Sequence, residues 1–216
     1  MKRLTLLLVA VVVFASLQLR ADDPPPKRGG DGILQKGNII VDAYYGFPNL
    51  WTTILRAGYL DGNQISSSSG SFGPCGANVE YMISKKIGVG LEVNYSTSWV
   101  QWTEADAIYD PNTGNDDING NYKVQIPRLG IMPRFYYHFI NHKHYDMYCS
   151  AGLGYRSTTF NFTTNDPNWD EPKITIIPVG YRIAVGGRYF FMSNLGLNWE
   201  FGIGGALVLA GLSVRI

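Results

Sequence analysis

After residue 36, apolar and polar positions alternate with a period of two, the pattern of strands with one greasy face. Between Asn38 and Phe47, Ile39, Val41, Ala43, Tyr45 and Phe47 share one parity, while Asp42, Tyr44 and Gly46 take the other. In the third such segment Ile87, Val89, Leu91, Val93 and Tyr95 oppose Gly88, Gly90, Glu92, Asn94 and Ser96. The same alternation over 77–83, 129–139, 145–156, 177–186, 195–204 and 208–216 brings the predicted strands to eight.

Connector lengths choose among the sheets these strands could build. A strand that crosses a bilayer needs about 9 to 11 residues, and membrane barrels pair short turns on one side with long loops on the other. Most of the segments meet that length. The connectors run long (Pro48 to Ser71), short (Ser84 to Lys86), long (Gln101 to Asn121) and short (Asn141 to His144). A medium one (Thr163 to Lys173), a short one (Met192 to Asn194) and a tight Gly204-Gly205 turn follow, so both chain ends fall on the short-turn side.

Polarity separates a membrane barrel from a soluble one. The second face carries Gly, Asn, Ser and scattered charges, whereas a solvent-facing surface would be richer in Lys and Glu and poorer in glycine. The prediction is an all-β fold, an eight-stranded antiparallel up-and-down transmembrane β-barrel with a polar lumen. Its inward charges are Asp42, Glu80, Glu92, Asp146 and Glu200 against Arg128, Arg134, Arg156, Arg182 and Arg215. An unpaired charge in a desolvated lumen is costly, so this near-balance predicts a paired, plugged interior. Aromatics gather at strand ends, Tyr45, Phe47, Trp51, Trp99 and Trp102 on the long-loop side and Tyr137, Phe139, Tyr145, Tyr189 and Phe191 on the other, as interfacial girdles would. Val124 and Ile126 precede Leu129 with the opposite parity, so a bulge is expected at Pro127; Pro133 predicts another irregularity.

The first residues stand apart. Lys2 and Arg3 precede an apolar run from Leu4 to Ala15, followed by small residues up to Ala21, which reads as a secretory signal over residues 1–21. Residues 22–36, with three prolines and mixed charge, read as a flexible periplasmic leader, and 37–216 as the barrel. Net charge is +1, and the leader-free chain is slightly acidic, so no basic footprint for nucleic acid exists. Cys75 and Cys149 fall on non-adjacent strands at opposite ends of the barrel and are expected as free thiols.

With this pattern in place, the chain resembles the small eight-stranded outer-membrane β-barrel proteins of Gram-negative bacteria, the OmpX-like and OmpA-domain-like barrels. The resemblance covers residues 37–216 and is sharpest at Gly211-Leu212-Ser213-Val214-Arg215-Ile216, which looks like the terminal assembly signal of that family, with Gly211, Val214 and Ile216 as its key positions. The family usually ends in an aromatic, whereas this chain ends in Ile216. The resemblance implies outer-membrane localisation, outer-membrane lipids as surroundings, the barrel-assembly machinery as transient partner and an extracellular partner for the loops.

No catalytic motif, metal set or cofactor site emerges. His138, His142 and His144 cluster at one periplasmic turn, away from the outer rim where a membrane-embedded hydrolase would work, and Asp106, Asp110, Asp116 and Asp117 read as an acidic surface loop. The expected function is therefore non-enzymatic, structural or interaction-mediating, without cofactor. A lipid-modifying hydrolase or acyltransferase and a narrow pore are the alternatives.

Overall fold

Strands with one apolar and one polar face close here into an antiparallel sheet that turns the polar face inward and leaves the apolar face outward. The computed structural model describes residues 32–60, 62, 64–110, 115–167, 174 and 176–216; the signal segment and residues 22–31 of the leader lie outside these. The elements are β1 (Ile39–Phe47), α1 (Leu50–Tyr59), β2 (Ser66–Met82), β3 (Ile87–Asp110), β4 (Asn115–Asn141), β5 (Tyr145–Thr158), β6 (Asn161–Thr164), β7 (Val179–Phe190), β8 (Leu195–Ile203) and β9 (Val208–Arg215). Apart from β6, each strand pairs with the next along the chain, β5 with β7; β6 continues the line of β5 along β4, and β9 pairs with β1 from Ile40↔Arg215 to Phe47↔Val208. The result is a closed eight-strand barrel, as the alternation predicts. At the seam Gly211 leaves room for the Ala43 carbonyl, which a β-carbon there would strike.

Strand lengths are unequal. β2, β3 and β4 have 17, 24 and 27 residues, against 12, 9 and 8 in β7, β8 and β9. The end of the barrel away from the chain termini, here called upper, therefore has a tall wall of β2, β3, β4 and β6 and a low rim at the β8–β9 turn. This corrects the long connectors expected over 48–71 and 101–121, which are mostly strand and helix. Ser66 to Ser71 and Asn119 to Asn121 carry polar residues on both faces, so apolar alternation is silent there, and ladder hydrogen bonds pair these segments with β3. α1 also escapes a period-two reading, because its packed residues Trp51, Leu55 and Tyr59 recur at a spacing of four.

The bulge expected at Pro127 is absent. β3–β4 pairing runs unbroken from Ile87↔Tyr137 to Glu104↔Gly120, through Leu91↔Pro133 and Thr97↔Pro127. Val124 and Ile126 keep the inward parity and are buried, while Leu129 and Ile131 point outward. What changes along β4 is the chemistry of the interior.

Outside, the apolar parity is bare all around the barrel. Leu91, Phe135, Leu153 and Phe201 are 49%, 48%, 65% and 59% exposed, with Val79, Val93, Ile183 and Leu212 alike. Phe139, Tyr145, Tyr189 and Phe191 ring the lower end, and Tyr45, Phe47 and Phe72 face outward above. Trp51 and Trp102, expected in the upper girdle, instead face the mouth of the barrel, where Trp102 stacks on Tyr122 at 5.4 Å. Both cysteines are free.

At the lower end, residues 32–36, expected as the end of a flexible leader, are fastened to the barrel. The Ile33 amide donates to the His142 carbonyl, Asn141 exchanges hydrogen bonds with Leu34, and Arg215 donates to the Ile33 carbonyl. Leu34 is thereby pressed onto Ile40, Met82 and Phe190 in a small, fully buried apolar seal.

Candidate functional site

The inward parity of every strand converges on a lumen filled by side chains, arranged in tiers. Glycines at intervening inward positions make the space: a β-carbon on Gly186 would lie 2.7 Å from the Tyr148 ring. Directly above the apolar seal, the Arg188 guanidinium donates to Asp42 (2.7 and 3.1 Å), Glu80 (2.7 Å) and Asp146 (3.3 Å). His138 lies between two of the same acids, its Nδ1 2.8 Å from Asp146 and its Nε2 2.7 Å from Glu80. Carboxylates at both ring nitrogens suit the imidazolium, in which both nitrogens donate. Ser213 donates to Asp42, Asn198 donates to Ser213, and the Arg188 guanidinium lies 4.7 Å over the Tyr148 ring.

The next tier is built on Arg134, which donates to Glu92 and Glu200, each at 2.7 Å, and to Ser150. Arg182 shares Glu200 with it and also donates to the Ala206 carbonyl at 3.0 Å. Tyr44 and Asn94 donate to Glu92 at 2.6 and 2.8 Å, and Tyr148 to Glu200 at 3.3 Å. All five acids are thus tied to at least one cation.

Above them stand Arg128 and Arg156. Arg156 donates to the Gly204 carbonyl, and the Arg128 guanidinium lies 5.0 Å over the Trp51 ring of α1. Still higher, the same inward parity turns apolar: Val100, Trp102, Tyr122, Val124 and Ile126 are buried against Leu55 of α1, with Phe160 and Phe162 beside them. Thr52 donates to Ser98 and Asn49 to the Thr97 carbonyl, fixing the helix inside the tall wall. In this mouth, above the low rim, burial raises the phenols of Tyr59 and Tyr122, the latter further under the carboxylates of Asp166 and Glu104.

Of the charges expected in the lumen, Asp42, Glu80, Glu92, Arg134, Asp146, Arg182 and Glu200 meet as ion pairs among the described residues. Arg128 and Arg156 are inward but touch no carboxylate among the described residues, and Arg215 lies at the lower rim on the carbonyls of Ser193 and Ile33. Two members were not anticipated. Arg188 is missed by ending its strand at Gly186, although its inward parity continues through Phe190. His138 belongs to the inward face, 1% exposed, and not to the turn that holds His142 and His144. Of the acidic loop, Asp106 lies in β3 and Asp116 is paired with Tyr109 in the β3–β4 ladder.

Among the described residues no group of three or more His, Cys, Asp or Glu side chains is arranged to hold a metal ion, and no helix is long and apolar enough to cross a membrane. No family model matches the chain, and no curated protein does. Solved structures similar to it include outer membrane protein W of E. coli, at 15% identity over 84% of this chain and 99% of that one, with a TM-score of 0.44. The N-terminal β-barrel domain of Pseudomonas aeruginosa OprF is 12% identical over 85% of this chain and all of that domain, with a TM-score of 0.39. Ail, the attachment invasion locus protein of Yersinia pestis, is 11% identical over 85% of this chain and 100% of that chain, with a TM-score of 0.31.

Proposed function

We propose that the chain is a non-enzymatic integral outer-membrane barrel that acts as a scaffold, presenting its tall wall to an extracellular partner. One observation carries this reading: the barrel is inside out relative to a soluble protein. A continuous band of half-exposed Leu, Val, Ile, Phe and Tyr surrounds a core of buried Arg, Glu, Asp and His. In water that band far exceeds the apolar patches of ordinary monomers; in hydrocarbon it is the low-energy surface, and the closed ladder pairs the strand backbones with one another, with an interruption beside Pro133 between β4 and β5. The apolar run after Lys2 and Arg3 would export the chain, and the seam strand β9, with Gly211, Val214 and Ile216, would be read by the barrel-assembly machinery.

The interior favours a scaffold over the two alternatives. A pore needs a wetted path, whereas Leu34, Ile40, Met82 and Phe190 seal the lower end and α1 fills the mouth. A hydrolase needs a base with a free lone pair near the outer leaflet, whereas His138 is held at both nitrogens deep in the lower tier.

Fractionation of a Gram-negative host with protease added to intact cells tests the reading. Chain recovered in the outer membrane, with cleavage in the upper segment around Ser66 to Ser71 and none at Lys85, Lys86 or Lys143, is the expected result. Recovery in the soluble fraction, or cleavage at those lysines in intact cells, overturns it, and stepwise conductance in planar bilayers would replace the scaffold with the pore.

A further inference from the structure

The lumen acids are consumed before its cations are. Glu92 and Glu200 already accept from Arg134, Arg182, Tyr44, Asn94 and Tyr148, and Asp42, Glu80 and Asp146 from Arg188 and His138. Arg128 and Arg156 stand above with no carboxylate among the described residues. Arg182, only 2% exposed, has its Nη2 buried without a hydrogen-bond partner among the described residues, and the same holds for the Nε of Arg128.

These groups converge beneath the low rim. The Arg156 and Arg182 guanidinium groups reach up to consecutive parts of the β8–β9 turn, the carbonyls of Gly204 and Ala206. The position a β-carbon would take on Gly205, between those carbonyls, lies 3.0 Å from Arg182 Nη1 and 3.9 Å from Arg156 Nη2. Two guanidinium nitrogens thus face one small space, about 7 Å apart at most. Arg128 is a diagonal neighbour of Arg156 on the same inward face, since Arg128 pairs with Thr158 and Gly130 with Arg156.

Like charges gathered in a poorly hydrated interior repel and leave donors unsatisfied, and both costs vanish when an anion with several acceptor oxygens enters. A tetrahedral oxyanion suits this arrangement, because guanidinium forks bind its oxygens in pairs. We propose that Arg128, Arg156 and Arg182 form an oxyanion-binding site inside the barrel, reached past the β8–β9 turn, whose ligand is a phosphate-type group on a small soluble molecule. The strands wall the site off from the surrounding lipid, so a bilayer headgroup is the less fitting source.

Thermal unfolding of the full barrel in neutral micelles tests this, with chloride exchanged for inorganic phosphate at constant ionic strength. The expected result is a saturable rise in Tm with phosphate. Arg156→Gln and Arg128→Gln should weaken phosphate binding about tenfold or more, the loss of a charge-assisted contact. They should also leave the phosphate-free Tm unchanged or higher, because repulsion is relieved; a merely structural arginine would lower it. Gly205→Asp supplies a carboxylate at the point of convergence and should raise the phosphate-free Tm while abolishing the phosphate response. A wild-type Tm indifferent to phosphate overturns the site, as does a phosphate response that survives Arg156→Gln. Stabilisation by phosphatidylglycerol in phosphatidylcholine vesicles, without any by phosphate, overturns it too and moves the anion to the outer surface.

Discussion

Below Ser98 the inward positions of β3 and β4 carry Glu92, Asn94, Arg134 and His138; above it the same parity carries Val100, Trp102, Tyr122, Val124 and Ile126. The two regions differ in what encloses them. Around the lower lumen all eight strands are present, so inward side chains meet others from every direction and charges can be compensated across the barrel. In the upper region only β2, β3, β4 and β6 persist, and their inner face would stand open to water. An apolar lining there needs a cover, and α1 supplies it through Leu55, Trp51 and Tyr59. A polar core is affordable where enclosure is complete, and an apolar core is used where a single helix must find its seat.

The largest effect expected from breaking this contrast comes from Arg188→Ala. It leaves Asp42 without a cation, and Glu80 and Asp146 with His138 alone, in a fully buried site, and should cost about 3–5 kcal/mol in urea unfolding from lipid vesicles, less where water enters. A variant as stable as wild type would mean that the lower tier is wet. Glu92→Ala, which leaves Arg134 to share Glu200 with Arg182 and removes the acceptor of Tyr44 and Asn94, should destabilise the next tier in the same assay.

Leu91→Arg leaves both interiors intact and attacks the outer band. Near the bilayer midplane it should cost about 2–4 kcal/mol in the same assay and little in neutral detergent, where the arginine reaches water. Equal losses in both media would count against a lipid-facing Leu91.

Leu55→Ala sharpens the comparison at the mouth. Emptying the buried Leu55 site should weaken helix docking by about 2 kcal/mol, read locally as increased hydrogen exchange in residues 50–59 while the charged tiers stay protected. Exchange rising in both regions together would show that the mouth and the lumen form one cooperative unit.

The smallest effect belongs to the thiols. Cys149→Ser should change stability by about 0.5 kcal/mol or less, since Cys149 is exposed and unbridged. A Cys75–Cys149 disulfide found by mass spectrometry of unreduced protein would contradict the strand order that keeps β2 and β5 apart.

Much of this architecture was readable along the chain because its signal is local. Alternation at Ile87 to Ser96 or Leu195 to Gly204 reports which side of a strand is greasy, and glycines on the polar side report a crowded lumen. The inward acids and most of the inward arginines follow from parity alone. Parity failed where the strand rises above the low rim: Ser66 to Ser71 alternate nothing, yet pair with Ser98 to Thr103. It also misled at Val124 and Ile126, where apolar residues on the inward face imitate a slipped register.

Strand identity, facing and barrel closure therefore lie in the period-two pattern, which each segment carries by itself. Which cation meets which acid does not, because pairing joins positions as distant as Asp42 and Arg188, 146 residues apart, through the curvature of a closed sheet. The height of the β3–β4 wall, the seating of α1, the docking of Leu34 and the convergence of Arg128, Arg156 and Arg182 likewise depend on distances across the barrel. Those distances are set only when β9 meets β1 and the eight strands share one register.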